Sequence, residues 1–175
     1  MNWQIRCVKC GHTVENLLEY NCPACNGQLD IDIDSNFKIE TIRARNYSMW
    51  RYDDSFPYVE QSDIVTLGEG WTPLVKASDN LSFKLDCLNP TGSFKDRGSA
   101  TIVSALHRQI KLRSGCVSED SSGNAGASIA AYAARAQVKA KIYVPETVSG
   151  PKLNQIRFYG ADVMKVVGSR SKVTE

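Results

Sequence analysis

The sequence predicts an α/β fold: a parallel sheet flanked by helices, preceded by a small cysteine-rich unit. Two observations carry this. From Val65 onward, short strand-like runs alternate with helical periodicity, the pattern of βαβ units that lays strands in parallel beneath helices. Ahead of that, four of the six cysteines form two C-x2-C pairs, Cys7 with Cys10 and Cys22 with Cys25.

The bulk properties narrow the function classes. At 175 residues the chain can bury a core of one medium domain plus an appendage. Its 21 basic and 19 acidic side chains form no long block, so the charge of +2 marks out no phosphate-tracking surface. No nucleic acid is therefore expected, and a small molecule is the default partner. The opening "MNWQIRCVKC" lacks the apolar core of a secretory signal, and no apolar run approaches the ~18–20 residues that span a bilayer. No membrane is expected, and a cytoplasmic location is. In a reducing compartment the cysteines are read for metal or catalysis rather than as a disulfide framework.

The first unit comprises residues 1–34. Gly11 and Asn26-Gly27 follow the second cysteine of each pair and tolerate the positive φ at which a metal-binding knuckle tightens. Paired C-x2-C spacing predicts a structural zinc site of four thiolates, Cys7, Cys10, Cys22 and Cys25. His12 stands close enough to compete, but four cysteines already complete a tetrahedron. With no open position on the metal, the ribbon is expected to serve folding or docking. Leu29, Ile31 and Ile33 alternate with Asp30, Asp32 and Asp34, which predicts a strand with one wet face. Residues 35–64 lack a clean period and read as a connecting arm, helical around Arg43 to Arg51.

Residues 65–175 carry the α/β pattern. "VTLGEGWTPLVKA" is extended and broken by Gly68, Gly70 and Pro73, and "LSFKLDCLN" reads as a strand. Phe94 to Ile110 has helical spacing through Phe94, Ile102, Ala105 and Leu106. An extended piece near Cys116 to Ser118, a small-residue helix from Asn124 to Ala136, the strand "AKIYVP", a helix from Gly150 to Tyr159 and the strand "DVMKVV" complete the series. Cys87 and Cys116 read as small buried hydrophobes. His107 reads as a surface or packing residue.

Two constellations carry chemistry. In "SSGNAGAS", Ser121, Ser122, Gly123 and Asn124 offer hydroxyls, an amide and unencumbered N–H groups between a strand end and a helix start, a place suited to a carboxylate or phosphate. The same residues read equally well as an ordinary turn capped by Ser or Asn. In "NPTGSFKDRG", Lys95 falls in the first turn of a helix, where the macrodipole disfavours a cation. A lysine desolvated there is a usable amine nucleophile that condenses with a carbonyl. A solvated surface lysine is the commoner alternative.

Leu67 to Leu74 ("LGEGWTPL"), Asn89 to Gly98 and Glu119 to Gly126, with the tail "IYVPETVSGPKLNQIRFYGADVMKVVGSR", together resemble threonine synthase of the fold-type-II pyridoxal-phosphate enzymes. An N-terminal cysteine ribbon is found in some members. The resemblance implies that Lys95 holds pyridoxal 5'-phosphate covalently, with Phe94 beside the ring and Asn124 bonded to its phenolic oxygen. It implies that Ser121, Ser122, Gly123 and Ala125 grip the carboxylate of an amino-acid substrate. The implied reaction converts O-phospho-L-homoserine and water to L-threonine and phosphate, in an enzyme that tends to homodimers. The family's glycine-rich phosphate cradle, and its hydroxyl for the pyridine nitrogen, belong to a later part of the chain than Glu175. These 175 residues are accordingly expected to be an N-terminal portion with little or no activity alone. A cysteate-synthase-like or threonine-dehydratase-like reaction is the enzymatic alternative. A catalytically silent zinc-ribbon module is the other, although Arg6 and Lys9 make a poor phosphate track.

Overall fold

The computed structural model describes residues 2–34, 37–113, 115–168 and 170–174. Strands β1 (Asn2–Cys7), β2 (Thr13–Val14) and β3 (Leu29–Asp34) form an antiparallel sheet in the order β2-β1-β3. Ile5 pairs with both Val14 and Ile31 and is buried. The period-2 reading of β3 holds, with Leu29, Ile31 and Ile33 partly buried and Asp30 and Asp32 exposed.

Ser35 and Asn36, which open the predicted arm, lie outside the described residues. The helix expected around Arg43 to Arg51 is replaced by a 3-10 segment at Met49–Ser55, with shorter ones at Ile39–Thr41 and Gln61–Asp63. The reason is local. The Asn46 carboxamide oxygen accepts both the N–H and the hydroxyl of Ser48, and the Ser48 hydroxyl oxygen in turn accepts from the Trp50 N–H. These side chains hold the backbone out of a helix until Met49.

Strands β4 (Leu74–Ser78) and β5 (Leu81–Lys84) make an antiparallel hairpin, exposed throughout and separate from the parallel sheet. The strand expected through Asn89 thus ends early. Asp86–Leu88 is a 3-10 turn, closed by a 2.9 Å bond from the Asn89 amide to the Asp86 carbonyl, and Cys87 is exposed rather than buried.

The rest is helix α1 (Lys95–Leu112), β6 (Cys116–Glu119), α2 (Asn124–Ala136), β7 (Lys139–Pro145), α3 (Pro151–Phe158), β8 (Asp162–Val166) and α4 (Arg170–Thr174). Strands β6, β7 and β8 pair in that order, all parallel, as the alternation predicts. Ala140, Ile142 and Val144 point from β7 into a core with Ala127, Ala130 and Ala131 of α2 and Leu153 and Ile156 of α3. The opposite face meets α4, whose buried Val173 shares a cleft with Ser118 and Tyr143. Cys116 opens the edge strand β6 and is exposed, again contrary to expectation.

Helix α1 buries a different stripe from the predicted one. Asp96, Ser99, Ala100, Val103 and Ser104 are buried, whereas Phe94 and Ile102 are exposed. The cause is the partner. Most of the buried residues of α2 are Gly, Ala or Ser, and Ser128 bonds Asp96 of α1, so small and polar residues let the two helices pack closely where a row of larger side chains would hold them apart.

Candidate functional site

Lys95 is the first residue of α1, following a turn in which Gly92 adopts φ +82°. Its side chain is exposed, with Nζ 5.0 Å from the centroid of the Phe94 ring, so the predicted desolvation is not met. The residue beside it settles why a cation is tolerated at this helix end. Asp96 is fully buried and accepts from the Thr91 N–H at 2.7 Å, the Thr91 hydroxyl at 2.5 Å and the Ser128 hydroxyl at 2.6 Å. A carboxylate in the first turn complements the macrodipole that the lysine opposes.

Ser121, Ser122, Gly123 and Ala125 are partly buried beyond the carboxyl end of β6, and Asn124 begins α2 and is exposed. The Ser or Asn cap that the sequence allowed is not formed. Gly123 occupies the capping position, no side chain among the described residues caps the helix, and the Ser121 hydroxyl accepts from the Gly123 N–H at 3.3 Å. The first-turn N–H groups of α2 therefore have no capping side chain and can receive an anion. The loop lies hard against the helix, because a Cβ on Gly126 would stand 1.9 Å from the Ser121 carbonyl oxygen.

Ser128 lies one turn beyond Asn124, so its bond to Asp96 couples the lysine's turn to the helix that carries the loop. Gln155 of α3 adds a third support, donating to the Thr91 carbonyl at 3.2 Å. The Asp96–Ser128 bond thus links the helix that begins with the lysine to the helix whose start is anion-receptive, and that start lies outside the carboxyl end of a parallel strand, where ligands bind open α/β sheets.

Sequence reading passed over the supports. Asp96 carried a signal, an acid in a helix's first turn. Glu69 did not: it is fully buried and accepts from the Trp50 indole at 2.7 Å, the Tyr132 hydroxyl at 2.7 Å and the Leu67 N–H at 3.0 Å. Burial and this carboxylate push the Tyr132 phenol pKa far above its usual range. Asp86 takes both arms of Arg97, at 2.9 and 2.8 Å, and the Thr72 hydroxyl. Those bonds, Arg97 first, hold its carboxyl at about 2.

The four cysteine sulfurs lie within 4.8 Å of one another, Cys7 to Cys25 at 3.5 Å and Cys10 to Cys22 at 3.7 Å. A disulfide would need about 2.05 Å. Tetrahedral zinc with bonds of about 2.3 Å sets sulfurs roughly 3.8 Å apart, so the cluster fits that metal. Gly11 and Asn26 adopt φ +73° and +55°, as the turns require. Gly27 is needed for space, since its Cβ would come within 3.0 Å of Cys7 Sγ. His12 is exposed and not part of the cluster.

A parallel sheet with a lysine and an uncapped helix end beside it is the outline of a fold-type-II pyridoxal-phosphate enzyme. Residues 65–175 match the model of the family described as pyridoxal-phosphate dependent enzyme, and the chain belongs to that family. More particularly, its relatives include threonine synthases. That of Methanocaldococcus jannaschii is 38% identical over 94% of this chain and 43% of its own length, and that of Methanosarcina acetivorans is 32% identical over 95% and 43%. The chain thus spans less than half the length of these relatives. Among solved structures, the processed form of threonine deaminase isoform 2 from Solanum lycopersicum superposes with a TM-score of 0.55 at 27% identity, over 69% of this chain and 35% of that one. No helix among the described residues is long and apolar enough to cross a membrane.

The family implies pyridoxal phosphate, and the residues fit it. Lys95 offers an amine on a fixed helix start, Phe94 an exposed aromatic face, and Asn124 an exposed amide at the neighbouring helix end.

Proposed function

We propose that the chain carries the lysine side of a site that converts O-phospho-L-homoserine and water to L-threonine and phosphate. The observation that supports this best is the coupling of Lys95 to the Ser121–Ala125 loop through Asp96 and Ser128, in a chain whose relatives are threonine synthases. Lys95 would hold pyridoxal phosphate, with Phe94 and Asn124 against it. When bound, the cofactor accepts the electron pair left on a substrate carbon as its proton departs. Lys95 Nζ takes the proton from the α-carbon and returns protons to substrate carbons, as a positioned amine can. The loop N–H groups with the Ser121 and Ser122 hydroxyls bind the α-carboxylate, which fixes the α-carbon relative to that amine. Phosphate leaves from the γ-carbon and water adds at the β-carbon, so the atoms of substrate and water are all found in threonine and phosphate.

The ribbon cysteines hold a structural zinc, and all four positions on the metal are filled. Separate units at 1–34, 35–64 and 65–175 follow from this reading, with the zinc ribbon stabilising the first. A dimer of chains is consistent with the resemblance.

The reaction is tested by product analysis, with pyridoxal phosphate present, of a longer chain that carries these residues, because the 175 residues alone are expected to turn over little or nothing. Threonine and phosphate in equal amounts, lost in Lys95→Ala, is the expected result. Ammonia released from L-threonine with no phosphate from O-phospho-L-homoserine would instead select a dehydratase.

A further inference from the structure

The cysteine ribbon has almost no apolar core of its own. Among the described side chains of residues 2–34, only Ile5, Cys7 and Cys22 are buried, and two of these are cluster cysteines. A unit that buries so little holds its shape through its metal, because binding free energy there is folding free energy. Strand β1 ends at Cys7 and carries Trp3 near its start, so whatever Trp3 touches feels the state of the cluster.

Trp3 opens an unbroken run of contacts into the α/β unit. Its ring meets that of Tyr58 edge to face, 5.9 Å between centroids, Tyr58 meets Phe56 at 6.4 Å, and Phe56 meets Trp50 at 5.6 Å. Each spacing lies in the range over which aromatic rings attract. The Trp50 indole N–H then donates to one oxygen of Glu69 at 2.7 Å, and the other oxygen accepts from the Tyr132 hydroxyl of α2 at 2.7 Å. Trp50, Glu69 and Tyr132 are buried, so neither bond is exchanged for one to water.

There is little slack where the rings meet the carboxylate. The Met49 N–H donates to the Glu69 carbonyl at 2.7 Å, and a Cβ on Gly70 would stand 2.7 Å from the Met49 nitrogen. A second approach of the ribbon to the α/β unit, Tyr20 at the cleft with Ser118 and Tyr143, leaves the Tyr20 ring 87% exposed and fixes little.

We propose, on the reading of the cluster as a zinc site, that metal in the ribbon steadies α2 and the anion-receptive start of that helix through Trp3, Tyr58, Phe56, Trp50, Glu69 and Tyr132. The ribbon is the element with two states. With metal it holds Trp3 against Tyr58, and without metal β1 loosens and the run loses its outer end. Trp3 and Tyr58 are positioning residues that act through α2.

Hydrogen exchange of the 175-residue chain, loaded with zinc or stripped of it by chelator, tests the coupling. Stripping is expected to raise the exchange of α2 amides about fivefold or more, and that of β8, at the far edge of the sheet, by clearly less. Trp3→Ala and Tyr58→Ala keep the tetrahedral thiolate absorption of bound cobalt, yet their α2 amides exchange at the same rate with and without zinc. Either variant reads the run if the other does not fold. Tyr20→Ala keeps the dependence on zinc. Four results overturn the proposal: α2 exchange indifferent to zinc in the parent chain, an equal rise in β8, a zinc effect that survives in Trp3→Ala and Tyr58→Ala, or loss of cobalt absorption in both. The last would make the two rings part of the metal unit's own fold. No cobalt absorption in the parent chain removes the zinc reading and the proposal with it, whereas absorption without the change at α2 removes the proposal alone.

Discussion

The Ser128 hydroxyl donates a 2.6 Å hydrogen bond to the buried Asp96 carboxylate, joining the residue after Lys95 to the helix that starts at Asn124. Neither side chain faces solvent, so the bond is not open to exchange with water. Ser128→Ala is expected to lower unfolding free energy by about 1–3 kcal/mol in denaturant titration. It should also make the reactivity of Lys95 toward pyridoxal phosphate less selective. A Ser128→Ala variant with unchanged stability and selectivity would remove the bond from the account.

Glu69 ties the arm to α2, since Trp50 and Tyr132 donate to its two oxygens. Tyr132→Phe keeps the ring and deletes one donor to a buried anion, and a loss of about 1–3 kcal/mol is expected. The melting temperature checks this. Tyr132→Phe should cost more than Tyr20→Phe, because Tyr20 is 87% exposed.

Asp86 makes stability depend on acid. Its carboxyl sits at about 2 in the folded chain against 3.8 ordinarily. The group is depressed, so its contribution is fully present above pH ~4 and is lost as pH falls through ~2. A shift of this size corresponds to about 2 kcal/mol at most, and screening at a side chain one-third exposed reduces it to about 1 kcal/mol. Asp86→Asn should therefore lower stability near pH 6 and flatten its decline between pH 4 and 2, as followed by urea unfolding across pH.

The cysteine cluster predicts one zinc per chain. Cobalt substitution should give the absorption of tetrahedral thiolate coordination, and Cys22→Ser should abolish it. Gly27→Ala, with its Cβ set against Cys7 Sγ, should lower metal occupancy without removing a ligand. Full occupancy in both variants would contradict the four-thiolate site.

What could be read in the sequence was local. The period of β3, the bounds of α2 and the C-x2-C spacing each depend on neighbours along the chain, and each stands in the structure. What could not be read was set by partners far along the chain. The apolar residues of α1 suggested a face through Ile102, but the close approach of α2 selects the Ala100 and Val103 side. Cys87 reads as strand until Asp86 turns to meet Arg97. Lys95 and the Ser121–Ala125 loop were legible as motifs. Their coupling through Asp96 and Ser128, 32 residues apart, was not.

The central claim is that Lys95 is the cofactor's lysine, and covalent labelling tests it most directly. The chain is incubated with pyridoxal phosphate, reduced with borohydride and mapped by peptide mass spectrometry. The account predicts a single dominant adduct at Lys95, absent in Lys95→Ala and unchanged in Lys111→Ala. Labelling spread evenly over the chain's lysines, or retained in Lys95→Ala, would contradict it.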